Sequence, residues 1–393
     1  MTGRERLLKT FRGEKTDRVP VSLFILDQGE FISQVYPGVD PWDCETNQRN
    51  IIEFSKQMGV DVFLRVLFTL DDPAFAHYGV LGGLNVANET DTWQVRHARA
   101  RQASTDTIAT TITTPAGTLT QEFSIAEARP GTLLYACTKK PIESPADLAI
   151  AARYEPGLPP AWREKIRAKI RDLKAALGDA GVLGVWVPWG AFNNASYITD
   201  VADLHTLYLK DPEYYHDLMR FCLARPREYV ALLLESGVDV VCMGGNVPGG
   251  FMGKHNYDQY VLPYEKQCVE FAQRSGTPAI YHNCGQIMSL VESYKELGVR
   301  VVEPFSPPPL GDADLAEAKA RSGGAYVMLS GLDQVNVLRK GSVDDVMKAT
   351  AAAMETGKRG GKFIMQNVDY LDYGTPLENI QVFVETALQH AAY

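Results

Sequence analysis

Eight short apolar runs recur along the chain, at residues 18–25, 61–68, 182–189, 238–244, 277–282, 299–305, 325–330 and 362–367. Between most of them lie amphipathic stretches of helical length, at 162–177, 212–236, 257–275, 287–297, 342–356 and 376–390. A strand that is apolar along its whole length must be covered on both faces, and alternation with helices makes that a parallel sheet sheathed by helices. Gly237, Gly276, Gly298 and Gly357 stand just before or near the next run, where a helix stops. Eight such units predict closure into a (β/α)8 TIM barrel, with an open doubly wound sheet as the alternative. One stretch breaks the rhythm. Residues 92–135 alternate Thr, Val and Ile with polar residues around a turn at Thr114-Pro115-Ala116-Gly117, which predicts a β-hairpin insertion after the second strand, at about 90–136, in a single barrel domain.

Composition narrows the function classes. A formal charge of -9 opposes binding to a phosphate backbone, which needs a dense basic face, so no nucleic-acid partner is expected. No run approaches the roughly 18 apolar residues of a membrane span, and residues 1–15 are too charged for a signal peptide. A soluble, cytoplasmic protein is the expectation. Six cysteines, at 44, 137, 222, 242, 268 and 284, lie far apart without paired spacing, which suits reduced thiols better than a disulfide framework.

Only Cys284 has a chemical neighbour in sequence. His282-Asn283-Cys284-Gly285 follows the run Pro278-Ala279-Ile280-Tyr281, and in extended chain residues i and i+2 face the same way. An imidazole and a thiol aimed at one spot are half of a zinc site, since catalytic zinc needs three protein ligands and an open position. Taken alone, the pair is read first as a hydrogen-bonded core histidine beside a small buried hydrophobe, and the rest of the chain reverses that preference. In a barrel of this kind chemistry gathers at the C-terminal strand ends, where the chain places Asp27, Arg65, Trp189, Asn193, Asn194, Met243, Asn246, Glu303, Asn367 and Asp369. Glu303 and Asp369 are carboxylates able to complete a metal sphere begun by His282 and Cys284. Asp27, Arg65, Trp189, Asn193, Asn194, Met243, Asn246 and Asn367 are the candidate substrate-binding residues.

Other motifs are weaker. The glycine loop 244–250 lacks the spacing of a dinucleotide fingerprint, and Gly253-Lys254 lacks the leading glycine and following hydroxyl of a P-loop. Gly249 and Gly250 suit close approach of a flat ligand or a docking protein. Asp203-Leu204-His205 has the start of a corrinoid-ligating pattern, but Tyr208 stands where its glycine belongs, so any corrinoid belongs to another protein.

Thr16-Asp17-Arg18-Val19-Pro20-Val21, Thr114-Pro115-Ala116-Gly117-Thr118-Leu119-Thr120, His282-Asn283-Cys284-Gly285, Ser330-Gly331-Leu332-Asp333 and Thr375-Pro376-Leu377-Glu378-Asn379 together resemble the uroporphyrinogen decarboxylase superfamily, over nearly the whole chain. The resemblance implies a (β/α)8 barrel and one of two activities: cofactor-free decarboxylation of a porphyrinogen, or zinc-dependent methyl transfer with a separate corrinoid protein. Decarboxylases carry an arginine-bearing M-R-Q-A-G-R after the first strand, where this chain has Leu26-Asp27-Gln28-Gly29-Glu30-Phe31. Their essential aspartate falls on Arg65, and the histidine of their last strand falls on Asp369. Acid in place of a carboxylate-gripping arginine repels a polycarboxylate.

The methyltransferase branch fits better. Its thiol-methylating members hold zinc with H-x-C on the fifth strand, matched by His282 and Cys284, and a cysteine after the last strand, where this chain has Asp369. The resemblance therefore implies zinc on His282, Cys284 and Asp369, with Glu303 as a fourth or exchangeable ligand, and a corrinoid-binding partner protein. An oxygen ligand makes the metal a better Lewis acid toward an ether or alcohol oxygen than an activator of thiolate, which favours O-demethylation of a methoxylated compound. The alternatives are methylation of a thiol or tetrahydrofolate from methylcobalamin, a non-catalytic ligand-binding barrel, and a metal-free lyase with Asp27 or Asp369 as base.

Overall fold

A computed structural model describes the chain apart from Gln28, Glu30, 41–42, 69–82, 104, 130–131, 189, 245–246 and 248, and apart from the side chains of 127–135. Among the described residues seven parallel strands form one sheet. In chain order they are β1 (Val62–Val66), then, past an insertion of strands β2 to β5, β6 (Gly181–Val187), β7 (Val240–Gly244), β8 (Ala279–His282), β9 (Val301–Glu303), β10 (Val327–Leu332) and β11 (Phe363–Asn367), each paired with the next. The open-sheet alternative fails because the ends meet. Val21 makes a parallel bridge to Met365 of β11, while its carbonyl accepts from the Asp61 amide just before β1 at 2.8 Å. The first apolar run is thus the eighth stave, reduced to a single bridge. Pro20 within it has no N–H to give a ladder.

The closing stave is held by charge. Asp61, 2 % exposed, accepts from the Val21 amide at 3.0 Å and from Arg18 Nη1 at 2.9 Å, and also from Arg6. Asp17 takes Arg6 Nε at 2.6 Å. The Thr16–Val21 motif thus pins the barrel shut. The inserted segment is larger than a hairpin: β2 (Gln94–Gln102), β3 (Thr105–Thr114), β4 (Gly117–Arg129) and β5 (Thr132–Lys139) make a four-stranded antiparallel sheet, in which the expected turn joins β3 to β4. An isolated two-stranded ribbon is marginal in water; here Ile108, Ile112, Leu119 and Phe123 are buried.

Strand parity divides the core. Phe63, Val182, Val240, Cys242, Ile280, Val301, Val327, Leu329 and Ile364 form an inner cluster with Leu7 and Phe11 of the N-terminal helix Gly3–Phe11. Alternate residues such as Leu64, Leu183, Met243, Tyr281, Val302 and Met365 belong to the outer core. That helix starts on a Thr2–Glu5 capping box. Among the described residues no helix is long and apolar enough to cross a membrane, and all six cysteines are free thiols.

Candidate active site

Two residues beyond the inner apolar layer, the same parity brings a polar layer to the C-terminal strand ends: Arg65 after Phe63, His282 after Ile280, Glu303 after Val301 and Gln366 after Ile364, with Trp186 on β6. Arg65 and Glu303 are each 1 % exposed at the side chain and form the centre. Arg65 Nη1 lies 2.7 Å from both Glu303 oxygens, and its Nη2 donates to Gln366 Oε1 at 3.0 Å. Gln366 Nε2 returns a bond to Glu303 Oε2 at 3.3 Å. The guanidinium carbon sits 3.4 Å from the Phe24 ring centroid, so an aromatic face covers its other side. Gly184, on the inner face of β6, admits the arginine stem: a Cβ there would stand 2.8 Å from the Phe63 ring, 2.9 Å from Cys242 Sγ and 3.3 Å from Arg65 Cγ.

Glu303 then reaches His282. Its Oε1 is 3.3 Å from Nδ1, and the imidazole stands edge-on to Trp186 with centroids 5.7 Å apart. Burial opposes charge on the ring, but hydrogen bonds to Cys284 and Glu303, with the fields of Glu303 and Asp369, hold its pKa up to about 10. Burial likewise opposes charge on Glu303, yet the Arg65 field and the His282 contact keep it below the usual carboxylate range. Asp369 is held above its usual value by burial, against the pull of His282. An imidazolium and a guanidinium thus stand against two carboxylates, and a metal ion that binds through His282 would displace the ring proton.

The expected four-ligand cage is not what the fold builds. Among the described residues no three His, Cys, Asp or Glu side chains are grouped to hold a metal ion. Glu303 is the reason on one side, because both oxygens are taken by Arg65 and one also by His282. Its geometry is that of a carboxylate orienting a histidine through Nδ1, which leaves Nε2 as the ligating atom. His282 and Cys284 are the soft-donor pair, adjacent enough to hydrogen-bond. Asp369 contributes its field, while its Oδ1 accepts from the Tyr370 amide at 2.8 Å.

Several expected substrate residues face elsewhere. Met243 points outward into the helix layer and is fully buried. Asn367 is also of outward parity, and its amide bridges backbone: Oδ1 accepts from Phe24 at 2.9 Å, and Nδ2 donates to the carbonyls of Phe24 and Asp369. Asp27 accepts from Gln48 Nε2 at 2.6 Å, and burial raises its pKa to about 7. Arg65 is held by Glu303. Asn194 donates to the Pro188 carbonyl at 2.9 Å and lines a cavity of about 270 Å³ with Glu155, Arg225 and Tyr229. Asn193 stays near the site, since its Nδ2 would be 3.3 Å from a Cβ on Gly244, the register partner of His282. Trp189 and Asn246 lie outside the described residues. Gly249 and Gly250 serve an internal contact: a Cβ on either would sit 1.9 Å from Ser289 Oγ or Gln286 Oε1. Trp186, Gln366 and Phe24 were missed, although period-two counting from the inner apolar residues reaches the first two.

A closed β/α barrel with a buried ion pair, an oriented imidazole and a thiol at its C-terminal strand ends is laid out as an enzyme. The chain belongs to the uroporphyrinogen decarboxylase (URO-D) family, whose model matches residues 103–390. It is 24% identical over 290 residues to the uroporphyrinogen decarboxylase of Prochlorococcus marinus, covering 70% of this chain and 75% of that one. It is also 24% identical over 205 residues to the methylcobamide:CoM methyltransferase MtbA of Methanosarcina acetivorans, over 50% of this chain and 56% of that protein, so this match spans about half of the relative's length. Among solved structures, a methyltransferase from Methanosarcina mazei superposes with a TM-score of 0.69 at 16% identity, covering 99% of both chains.

Proposed function

We propose that this protein is a zinc-dependent methyltransferase that moves a methyl group between a small methylated substrate and the cobalt of a corrinoid carried by a separate protein, with a methoxylated donor as the favoured substrate. The observation that carries the reading is the His282–Cys284 pair at the end of β8, with Glu303 turning the imidazole so that Nε2 is left for the metal. Zinc takes imidazole and thiolate readily and would displace the proton now held on His282, with Asp369 adding negative charge whose field reaches the ring. Zinc there would act as a Lewis acid on the oxygen that loses its methyl group. The protein's own part is positional. Arg65 fixes Glu303, Glu303 fixes His282, and Trp186 walls the ring, so the donor pair is set before substrate arrives. Decarboxylation of a polycarboxylate is disfavoured because Arg65, the guanidinium of this inner layer, is already neutralised by Glu303.

Two measurements test the proposal. Purified protein reconstituted with zinc is expected to retain about one equivalent after desalting, and Cys284→Ala to lose it together with methyl transfer. Transfer is followed by the methylcobalt absorbance on mixing a cob(I)alamin carrier with methoxylated aromatics, alcohols and thiols. Metal-free protein, or full activity in Cys284→Ala, would end the zinc reading. Running the assay from methylcobalamin to thiols tests the opposite direction, which the name of the MtbA relative favours.

A further inference from the structure

At the other end of the barrel, where β10 and β11 begin, a cavity of about 520 Å³ opens between the helices Leu315–Ser322 and Val343–Gly357. Its described wall carries three cations, Lys319, Arg359 and Lys362, and no carboxylate. The acids on neighbouring elements are engaged elsewhere: Glu292 and Glu317 by Arg321, and Glu355 by Lys358 and His390. In a chain of net charge -9 this is an unusual concentration of uncompensated positive charge.

The two lysines cross. Lys319 Nζ donates to the Gly361 carbonyl at 2.9 Å, and Lys362 Nζ donates to the Gly324 carbonyl. Each ammonium has three donors, so one carbonyl apiece leaves donors over. Arg359 is exposed and has no hydrogen bond or ion pair among the described residues. Around the mouth run Gly323-Gly324 and Gly360-Gly361, all at positive φ, and Lys362 itself holds φ at 51°. A side chain in the left-handed region is strained, and here the strain carries an ammonium onto the cavity wall. A Cβ on Gly323, Gly360 or Gly361 would meet nothing within 4 Å, so the mouth is open. Burial without a counter-ion also depresses the Lys319 ammonium to about 8.

We infer that this cavity binds a small phosphomonoester, its phosphate held by Lys319, Arg359 and Lys362 and its body resting on Ala316, Ala320 and Met328. Three cations match a dianion with three acceptor oxygens better than they match a carboxylate. The volume exceeds what a bare phosphate fills and admits a small organic group. Nothing in this inference depends on the methyl-transfer reading, because the cavity lies at the opposite strand ends from His282.

Calorimetry on the full chain at constant ionic strength tests it, with inorganic phosphate, glycerol phosphate and adenosine monophosphate as probes and glycerol and adenosine as uncharged controls. The expected result is saturable one-to-one binding of the phosphates alone, with a phosphomonoester tighter than inorganic phosphate. Arg359→Gln and Lys362→Gly should each weaken it by about tenfold or more, the loss expected for a charged hydrogen bond. Lys362→Gly relieves a left-handed residue, so a folding failure does not confuse the result. Zinc content and methyl transfer should be unchanged in Arg359→Gln. Absence of saturable binding at about 10 mM phosphate ester, or wild-type affinity in both variants, would overturn the inference.

Discussion

Removing the Arg65 guanidinium while keeping its apolar stem, as Arg65→Met, takes from the Glu303 carboxylate its closest counter-ion and leaves it only the longer contact to His282. Both side chains are 1 % exposed, and two contacts of 2.7 Å join them. At an effective dielectric of about 20 a pair at that distance attracts by roughly 6 kcal/mol, most of it offset by the cost of taking both ions out of water. What the single variant exposes is an acid stripped of its two short bonds, with one 3.3 Å contact each to Gln366 and to the His282 ring. The expected loss is about 3–5 kcal/mol, with a further part from the stacking on Phe24. The double variant Arg65→Met/Glu303→Gln removes the stranded charge and should recover at least about 2 kcal/mol. Urea midpoints at pH 7 with an unchanged m-value read these differences directly. A single variant within about 1 kcal/mol of the parent, or a double variant as unstable as the two singles summed, would refute the view that this ion pair organises the strand-end layer.

Glu265 provides a pH test. It is fully buried in the helix Leu262–Gln273, accepts from the Phe192 amide at 3.1 Å, leaves Oε2 unpaired, and has its pKa raised by burial from 4.5 to about 8. Between those values the folded state binds more protons than the unfolded one, so stability should fall as pH rises through the window, by at most about 1.4 kcal/mol per pH unit. Glu265→Gln should flatten the slope of urea midpoint against pH between 5 and 8, and an unchanged slope would place the titration elsewhere. Gly184→Ala, which would press a methyl against Phe63, Cys242 and Arg65, should cost about 1–3 kcal/mol. Calorimetric melting measures that loss, and a neutral result would mean that the inner layer yields more easily than its packing implies.

The histidine and the thiol were legible because two soft donors with one residue between them ended an apolar run. Glu303 was legible as a carboxylate at a strand end, but its role was not. A ligand and the residue that orients a ligand look alike in sequence, and only the arrival of Arg65 from 238 positions away separates them. Met243 and Asn367 were misplaced for another reason. Both lie at or next to the ends of apolar strands, yet parity turns them out toward the helices, while Cys242 and Gln366, one residue earlier on each strand, turn in.

Sequence alone determined the count of staves, the alternation that makes the sheet parallel, the place of the insertion and the strand that carries His282 and Cys284, because hydrophobic period and turn residues are local properties. Tertiary structure decided which face each strand end presents, how a proline-bearing run closes the barrel through one bridge, and which charges meet at its centre. The cause is geometric. Side chains alternate along a strand, so a boundary uncertain by one residue exchanges inside for outside, and the partner that settles a buried charge comes from a distant segment that only the closed barrel brings near.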